Sequence, residues 1–222
     1  MFQGFIGGMW MLLRKWDDIP EFMRNDEVKK YYDIIMSLLL LIVLSPVFLI
    51  LAIWIKVDSK GTVFYRQERI TQYGRTFRIF KFRTMVSNAD KIGTLVTTQN
   101  DSRITRVGEK IRKCRLDEIP QLINILKGDM SFVGTRPEVQ KYVDAYTDEM
   151  KATLLLPAGV TSLASLKYRD EDEIISQETD KGKTVDQAYI EDVLPEKMKF
   201  NLEYLNNFNI LKDVNLCVRT VI

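Results

Sequence analysis

From Ile34 to Ile55 the chain reads IIMSLLLLIVLSPVFLILAIWI without a single charge, whereas the segments after it mix apolar and polar positions at strand or helix spacing. About twenty apolar residues suffice for a helix to cross a bilayer, so this run predicts a membrane segment. Ser45-Pro46 falls at its middle. Proline removes a backbone donor and clashes with the preceding turn, which predicts a kink there. Ser45 is placed to satisfy a backbone group that the proline frees.

Cationic residues flank the run on both sides, Arg14, Lys15, Arg24, Lys29 and Lys30 before it and Lys56, Lys60, Arg66 and Arg69 after it. Such flanks prefer the cytoplasmic face. A segment that enters and returns and a kinked segment that crosses both remain open on these features. A cleaved signal peptide fits poorly, because the apolar run starts late and is too long. The leader Met1–Met23, with Trp10 and Trp16, suits the interface but is too short to cross.

Beyond Val57 the pattern predicts strands at Thr62–Arg66 and Thr76–Thr84, joined through Gln72-Tyr73-Gly74. Gly93 to Ser102 reads as a polar loop. Ile104, Val107 and Ile111 recur at helical spacing. Pro120 and Gly128 bracket IPQLINILK as a short helix, with proline in its first turn and glycine past its end. Val139, Tyr142, Val143, Tyr146 and Met150 mark one face of a further helix. Asp170–Glu178 reads as an exposed acidic segment, and Met198–Leu205 and Leu211–Val221 as two more helices.

At 222 residues with 46% hydrophobic content, the chain is long enough to bury a core. The net charge of +2 gives no overall attraction to nucleic acid, and none is expected as a partner. The chain has no histidine, which excludes Ser-His-Asp and Cys-His catalysis and histidine-rich metal sites. Acid–base work then falls to Asp, Glu, Lys, Tyr or Cys. Cys114 and Cys217 are far apart in sequence and form no CxxC pair, which predicts reduced, unpaired thiols.

Two features suggest chemistry. In TFRIFKFRTM, Arg78, Lys81 and Arg83 interleave with Phe77, Phe80 and Phe82, as in a strand with a cationic edge or one that binds a phosphorylated ligand. In CRLDEIPQLINILKGDMSFVGTRPE, Asp117 and Glu118 precede the helix, with Arg112, Lys113 and Arg115 upstream. Carboxylates there cap a helix. The free N–H groups and dipole of a helix N-terminus also favour negative charge, which predicts an ionised Asp117 and a natural phosphate site. An ionised carboxylate beside a phosphate can hold Mg²⁺ or act as a nucleophile. Arg136, in the turn Gly134-Thr135-Arg136-Pro137, suits paired hydrogen bonds to a phosphate.

In their order, the Ser-Pro-interrupted apolar run, KVDSKGTVFYRQERI, FRIFKFRTM and RLDEIPQLINILKGDMSFVGTRPE resemble the bacterial monotopic polyprenol-phosphate phosphoglycosyl transferases. The resemblance runs from about Lys29 to the C-terminus and is strongest between Val57 and Glu138. It implies an α/β fold with a re-entrant helix broken at Ser45-Pro46 and a compact, mostly helical catalytic domain with a small β-hairpin. The implied division is an extension over residues 1–28, the membrane helix over 29–56 and the cytosolic domain over 57–222. The implied location is the bacterial inner membrane, with the catalytic domain on its cytoplasmic face.

The resemblance further implies transfer of a sugar 1-phosphate from a UDP-sugar to undecaprenyl phosphate, with release of UMP. Asp117 would be the nucleophile of a covalent ping-pong mechanism and a ligand of Mg²⁺. Glu118 would activate the lipid phosphate or steady the metal, and Arg136, Arg112 and Lys81 would bind phosphate. A second copy of the chain and downstream glycosyltransferases stay open as further partners. Two departures stand out. The family's Gly-Pro-Arg-Pro is Gly-Thr-Arg-Pro here, and where many members read R-P-G-I-T-G-W-A-Q-V this chain has Pro157–Leu166, PAGVTSLASL. If that region contacts the nucleotide or sugar, donor specificity is what it alters. The competing readings are a membrane-anchored Mg²⁺-dependent phosphohydrolase or pyrophosphatase, with water as acceptor, and a non-catalytic membrane adaptor that uses the basic strand to bind its partner.

Overall fold

A computed structural model describes residues 19–89, 101–168 and 171–221. Most of the leader, residues 1–18, and most of the polar loop, residues 93–100, lie outside the described residues. The apolar run forms two helices, α1 (Ile19–Val43) and α2 (Ser45–Asp58), so the first helix begins ten residues ahead of the expected Lys29. The axes of Val28–Val43 and Ser45–Asp58 meet at a 64° bend. Without an N–H on Pro46, the Ile42 carbonyl loses its ordinary helical donor, and the Ser45 hydroxyl donates to it instead at 2.8 Å. Among the described residues no single helix is long and apolar enough to cross a membrane, but the bent pair together meets that length and composition.

One side of the pair packs on the domain. Leu51 and Ile55 join Phe82, Val107 and Ile111, while Leu40, Leu41 and Leu44 rest against Phe77, Ile79 and Ile125. The other side exposes Ile35, Ile42, Leu49 and Ile53. A contiguous apolar face of this kind calls for an apolar environment. Further along, Lys29 is buried and ion-paired to Asp213 of the C-terminal helix, and Tyr204 donates to the same carboxylate at 2.6 Å.

The hairpin pairs β1 (Phe64–Ile70) antiparallel with β2 (Thr76–Phe82), in the register Phe64 opposite Phe82 and Ile70 opposite Thr76. β1 extends four residues past the expected Arg66. Glu68 faces solvent, and Arg66, Gln67 and Arg69 line a polar cleft. No apolar alternation marks such a strand. Tyr73 at φ 59° and Gly74 at φ 74° make the turn. The buried Asn124 fixes β2, its amide donating to the Arg78 carbonyl at 3.0 Å and its Oδ1 accepting from the Phe80 N–H at 2.8 Å.

After α3 (Arg106–Lys113) and α4 (Leu122–Leu126), β3 (Met130–Val133) pairs in parallel with β4 (Ala158–Thr161), a second small sheet beyond the expected hairpin. The expected helix over Val139–Met150 is two, α5 (Gln140–Val143) and α6 (Asp148–Lys151). Thr147 starts the second by accepting from the Met150 N–H, and this cap breaks the run. The remaining helices are α7 (Leu163–Lys167), α8 (Glu171–Asp180), α9 (Val185–Ala188), α10 (Leu194–Asn207) and α11 (Ile210–Val221). Of the expected exposed segment Asp170–Glu178, Asp170 lies outside the described residues, Glu173, Ser176 and Gln177 of α8 are exposed, and Ile175 is instead buried among Tyr142, Tyr189 and Met198.

Candidate active site

Asp117 and Glu118 do not cap a helix. Arg115 takes a left-handed conformation (φ 52°) and leads into a 3-10 turn, Leu116–Gln121, that holds both carboxylates and Pro120 before α4 begins. No side chain caps that turn. The tight turn points the neighbours to different tasks. Asp117 lines an open cleft of about 740 Å³, together with Lys81, Arg112 and Arg136. Glu118 takes Lys81 Nζ at 2.8 Å and Arg136 Nη2 at 3.1 Å on one oxygen.

The two carboxyls titrate in opposite directions. Burial raises that of Asp117, opposed by Lys81 and reinforced by Glu118, the direction opposite to the pull expected of a helix N-terminus on a carboxylate. A buried carboxylate with a like charge beside it outweighs what one short turn supplies. Burial also works against the Glu118 charge, but Arg136 and Lys81 together overcome it and hold the carboxyl at about 2. Arg136 is raised, chiefly by Glu118, and Lys81 is lowered by burial against the pull of Glu118.

The four charged residues singled out in the sequence with Glu118 thus converge: Lys81 from β2, Arg112 from α3, Asp117 from the 3-10 turn and Arg136 from the turn after β3. Ser45 and Pro46 sit at the helix bend instead. The same cleft is lined by Arg83, from the basic strand that the sequence marked, by Arg66, Arg69, Arg103 and Lys197, which it did not mark as a site, and by Glu138 and Glu171. The run of four polar or charged residues in RQERI, two of them arginines, was the available signal.

The divergent segment Pro157–Leu166 does not line the cleft. It supports the Arg136 turn from behind, with Gly134 N–H donating to the Thr161 carbonyl at 3.0 Å and Gly159 N–H to the Thr135 carbonyl at 2.9 Å. A Cβ on Gly159 would stand 2.1 Å from the Gly134 nitrogen, so the backbones meet where a side chain cannot fit.

The cleft around Asp117, with Lys81, Arg112 and Arg136 in its wall, lies on a small helical domain that carries a bent apolar helix pair, and its cationic lining suits phosphorylated ligands. The model of the bacterial sugar transferase family matches residues 24–222, and the chain belongs to that family. It is 32% identical over 197 residues to the UDP-N-acetylgalactosamine-undecaprenyl-phosphate N-acetylgalactosaminephosphotransferase of Aeromonas hydrophila, across 87% of this chain and 43% of that protein. To the UDP-glucose:undecaprenyl-phosphate glucose-1-phosphate transferase of Escherichia coli it is 32% identical, across 92% of this chain and 41% of that protein. To the exopolysaccharide production protein ExoY of Sinorhizobium fredii it is 31% identical, across 87% and 83%. The chain therefore spans about two fifths of the first two relatives and most of the third.

Proposed function

We propose that this chain transfers a sugar 1-phosphate from a UDP-sugar to undecaprenyl phosphate, as the first membrane step of a bacterial glycoconjugate or polysaccharide pathway. The observation that carries the reading is Asp117, the one carboxylate of the acidic pair left open to the cleft, ringed by Lys81, Arg112 and Arg136. Family membership and the names of the Aeromonas and E. coli relatives support the same reaction class.

In this reading an Asp117 oxygen attacks the β-phosphorus of the donor. A phosphorus–carboxylate bond forms, the bond from that phosphorus to the bridging oxygen breaks, and UMP leaves with the oxygen. A phosphate oxygen of the lipid then attacks the same phosphorus. The bond to Asp117 breaks, the carboxylate is regenerated, and the lipid diphosphate sugar departs. No proton is consumed overall. Arg136 and Arg112 hold the phosphoryl oxygens and neutralise charge as it shifts. Glu118, with its charge engaged by Lys81 and Arg136, sets the position of both cations.

Among the described residues no group of three or more Cys, Asp or Glu converges to hold a metal. Mg²⁺ bound with substrate phosphates needs only one or two protein carboxylates, and Asp117 fits that requirement. When bound, the ion would offset the negative charge of the diphosphate.

The bent pair supports a re-entrant segment whose exposed apolar side faces lipid and whose two ends share the cytoplasmic face. Residues 29–56 then serve as the membrane element and residues 57–222 as the catalytic domain. The test is UMP release from UDP-glucose, UDP-galactose and UDP-N-acetylgalactosamine by solubilised enzyme with Mg²⁺, with and without undecaprenyl phosphate. Lipid-dependent UMP with a lipid-linked sugar diphosphate is expected. UMP, or sugar phosphate, released equally without lipid would identify a hydrolase and overturn the reading.

A further inference from the structure

The cleft wall continues from Arg136 into Arg69, Glu138, Tyr142, Glu171, Tyr189 and Lys197. Four of these form one hydrogen-bonded chain. Lys197 Nζ donates to Glu171 Oε2 at 3.0 Å and to the Tyr189 hydroxyl at 3.2 Å, and that hydroxyl donates to Glu138 Oε1. Arg69 Nη1 lies 3.9 Å from Glu138 Oε2, and Arg69 Nε is buried with no hydrogen-bond partner among the described residues.

Stability does not account for this chain. Lys197 and Glu138 are each 7% exposed, and behind them lie Val139, Ile175, Val193 and Met198. Buried ion pairs gain little over apolar side chains of the same size. The local backbone is also unusual, because Tyr189 opens a π-helical turn, Tyr189–Val193, a form rare in helices and concentrated at functional sites. That turn sets Tyr189 against Lys197, eight residues on.

The chemistry selects the ligand. Two carboxylates, an ammonium and a phenol hydroxyl, alternating as donors and acceptors, match the vicinal hydroxyls of a pyranose. Pro157–Leu166, which differs most from the family pattern, lies behind the Arg136 turn and cannot read the donor directly. We propose that the Glu138–Tyr189–Lys197–Glu171 chain is the subsite for the glycosyl group of the donor, with Lys197 and Glu171 reading its hydroxyls. The assignment rests on the transferase reading above. Polar groups held in a buried site discriminate strongly, because a sugar lacking the matching hydroxyl leaves them unpaired.

The test is calorimetric binding of UDP, UDP-glucose, UDP-galactose and UDP-N-acetylgalactosamine with Mg²⁺, in an Asp117→Asn background so that no donor is consumed. Glu171→Gln and Lys197→Met should weaken the best-bound UDP-sugar by about tenfold to a hundredfold and reorder the three sugars. UDP, which has no sugar, should bind both variants as it binds the parent. Glu171 is only half-buried, so Glu171→Gln decides the matter if Lys197→Met does not fold. Unchanged UDP-sugar affinity, or equal loss for UDP and UDP-sugars, would overturn the subsite. Absence of lipid-dependent turnover in the parent enzyme would instead sink the transferase reading and leave this comparison of sugars intact.

Discussion

Lys81 and Arg136, fifty-five residues apart in sequence, meet on the same oxygen of Glu118, at 2.8 and 3.1 Å. One largely buried carboxylate, 12% exposed, thus fixes two cations beside Asp117. Glu118→Gln removes the charge that both depend on. Breaking such a pair is costly, though water screens the half-exposed Arg136, so a loss of about 2 kcal/mol is expected. In a domain of this size that lowers Tm by roughly 4–8 °C, read by thermal denaturation. Activity should fall as well, because the cations lose their position.

The same carboxyl gives a pH dependence. Its folded value of about 2 lies below the ordinary 4.5. Between those values the unfolded chain binds the extra proton, so stability rises with pH. The Glu118 contribution is present above about pH 4.5 and lost as pH falls toward 2. In Glu118→Gln that part of the acid limb should vanish from denaturation curves.

Asp117 behaves the other way. Its raised carboxyl means that ionisation costs the folded state free energy. Asp117→Asn should therefore keep or raise Tm while cutting UMP release by at least roughly a thousandfold. Acid quench of the parent enzyme with labelled donor should trap a sugar phosphate on the protein, and the variant should trap none. The rate should rise with pH through a value above the ordinary 3.8 of aspartate, since the ionised form attacks.

The helix bend depends on Ser45 and Pro46. Pro46→Ala restores a donor to the Ile42 carbonyl, and Ser45→Ala removes the hydroxyl that replaced it. The double variant should straighten the pair toward a single span. Cysteine reporters at Lys30 and Lys60, in a chain without Cys114 and Cys217, should label from one side of the membrane in the parent. In the double variant they should label from opposite sides.

Lys29 and Asp213 join the first helix to the last through a buried ion pair. Asp213→Ala leaves the buried Lys29 with only the longer ion pair to Asp33, at 4.0 Å, and should cost about 3 kcal/mol. Lys29→Met combined with Asp33→Asn and Asp213→Leu, which empties the cluster of charge, should recover most of the loss in Tm, which an independent role for any one of the three would not allow.

Much of this was written in local order. The uncharged run with Ser-Pro at its centre determined a broken apolar helix, because the missing proline N–H acts within one turn. Pro120 and Gly128 bounded the short α4 region, where Gly128 takes φ +73°. The carboxylate pair, Lys81, Arg112 and Arg136 could be singled out by residue type and order. Their division of labour came only from the family resemblance, because residue type and spacing do not distinguish two adjacent carboxylates. Whether Asp117 or Glu118 stays open depends on which cations reach the 3-10 turn from β2 and from the turn after β3, contacts 37 and 18 residues away in sequence. Burial, also a tertiary property, reversed the expected direction for Asp117. The polar strand face of Gln67 and Arg69, the Lys197–Glu171 pair and the backing role of Pro157–Leu166 likewise arose only when distant segments closed around one cleft. Periodicity records which face of an element is apolar, and a cleft wall is polar on the face that points inward.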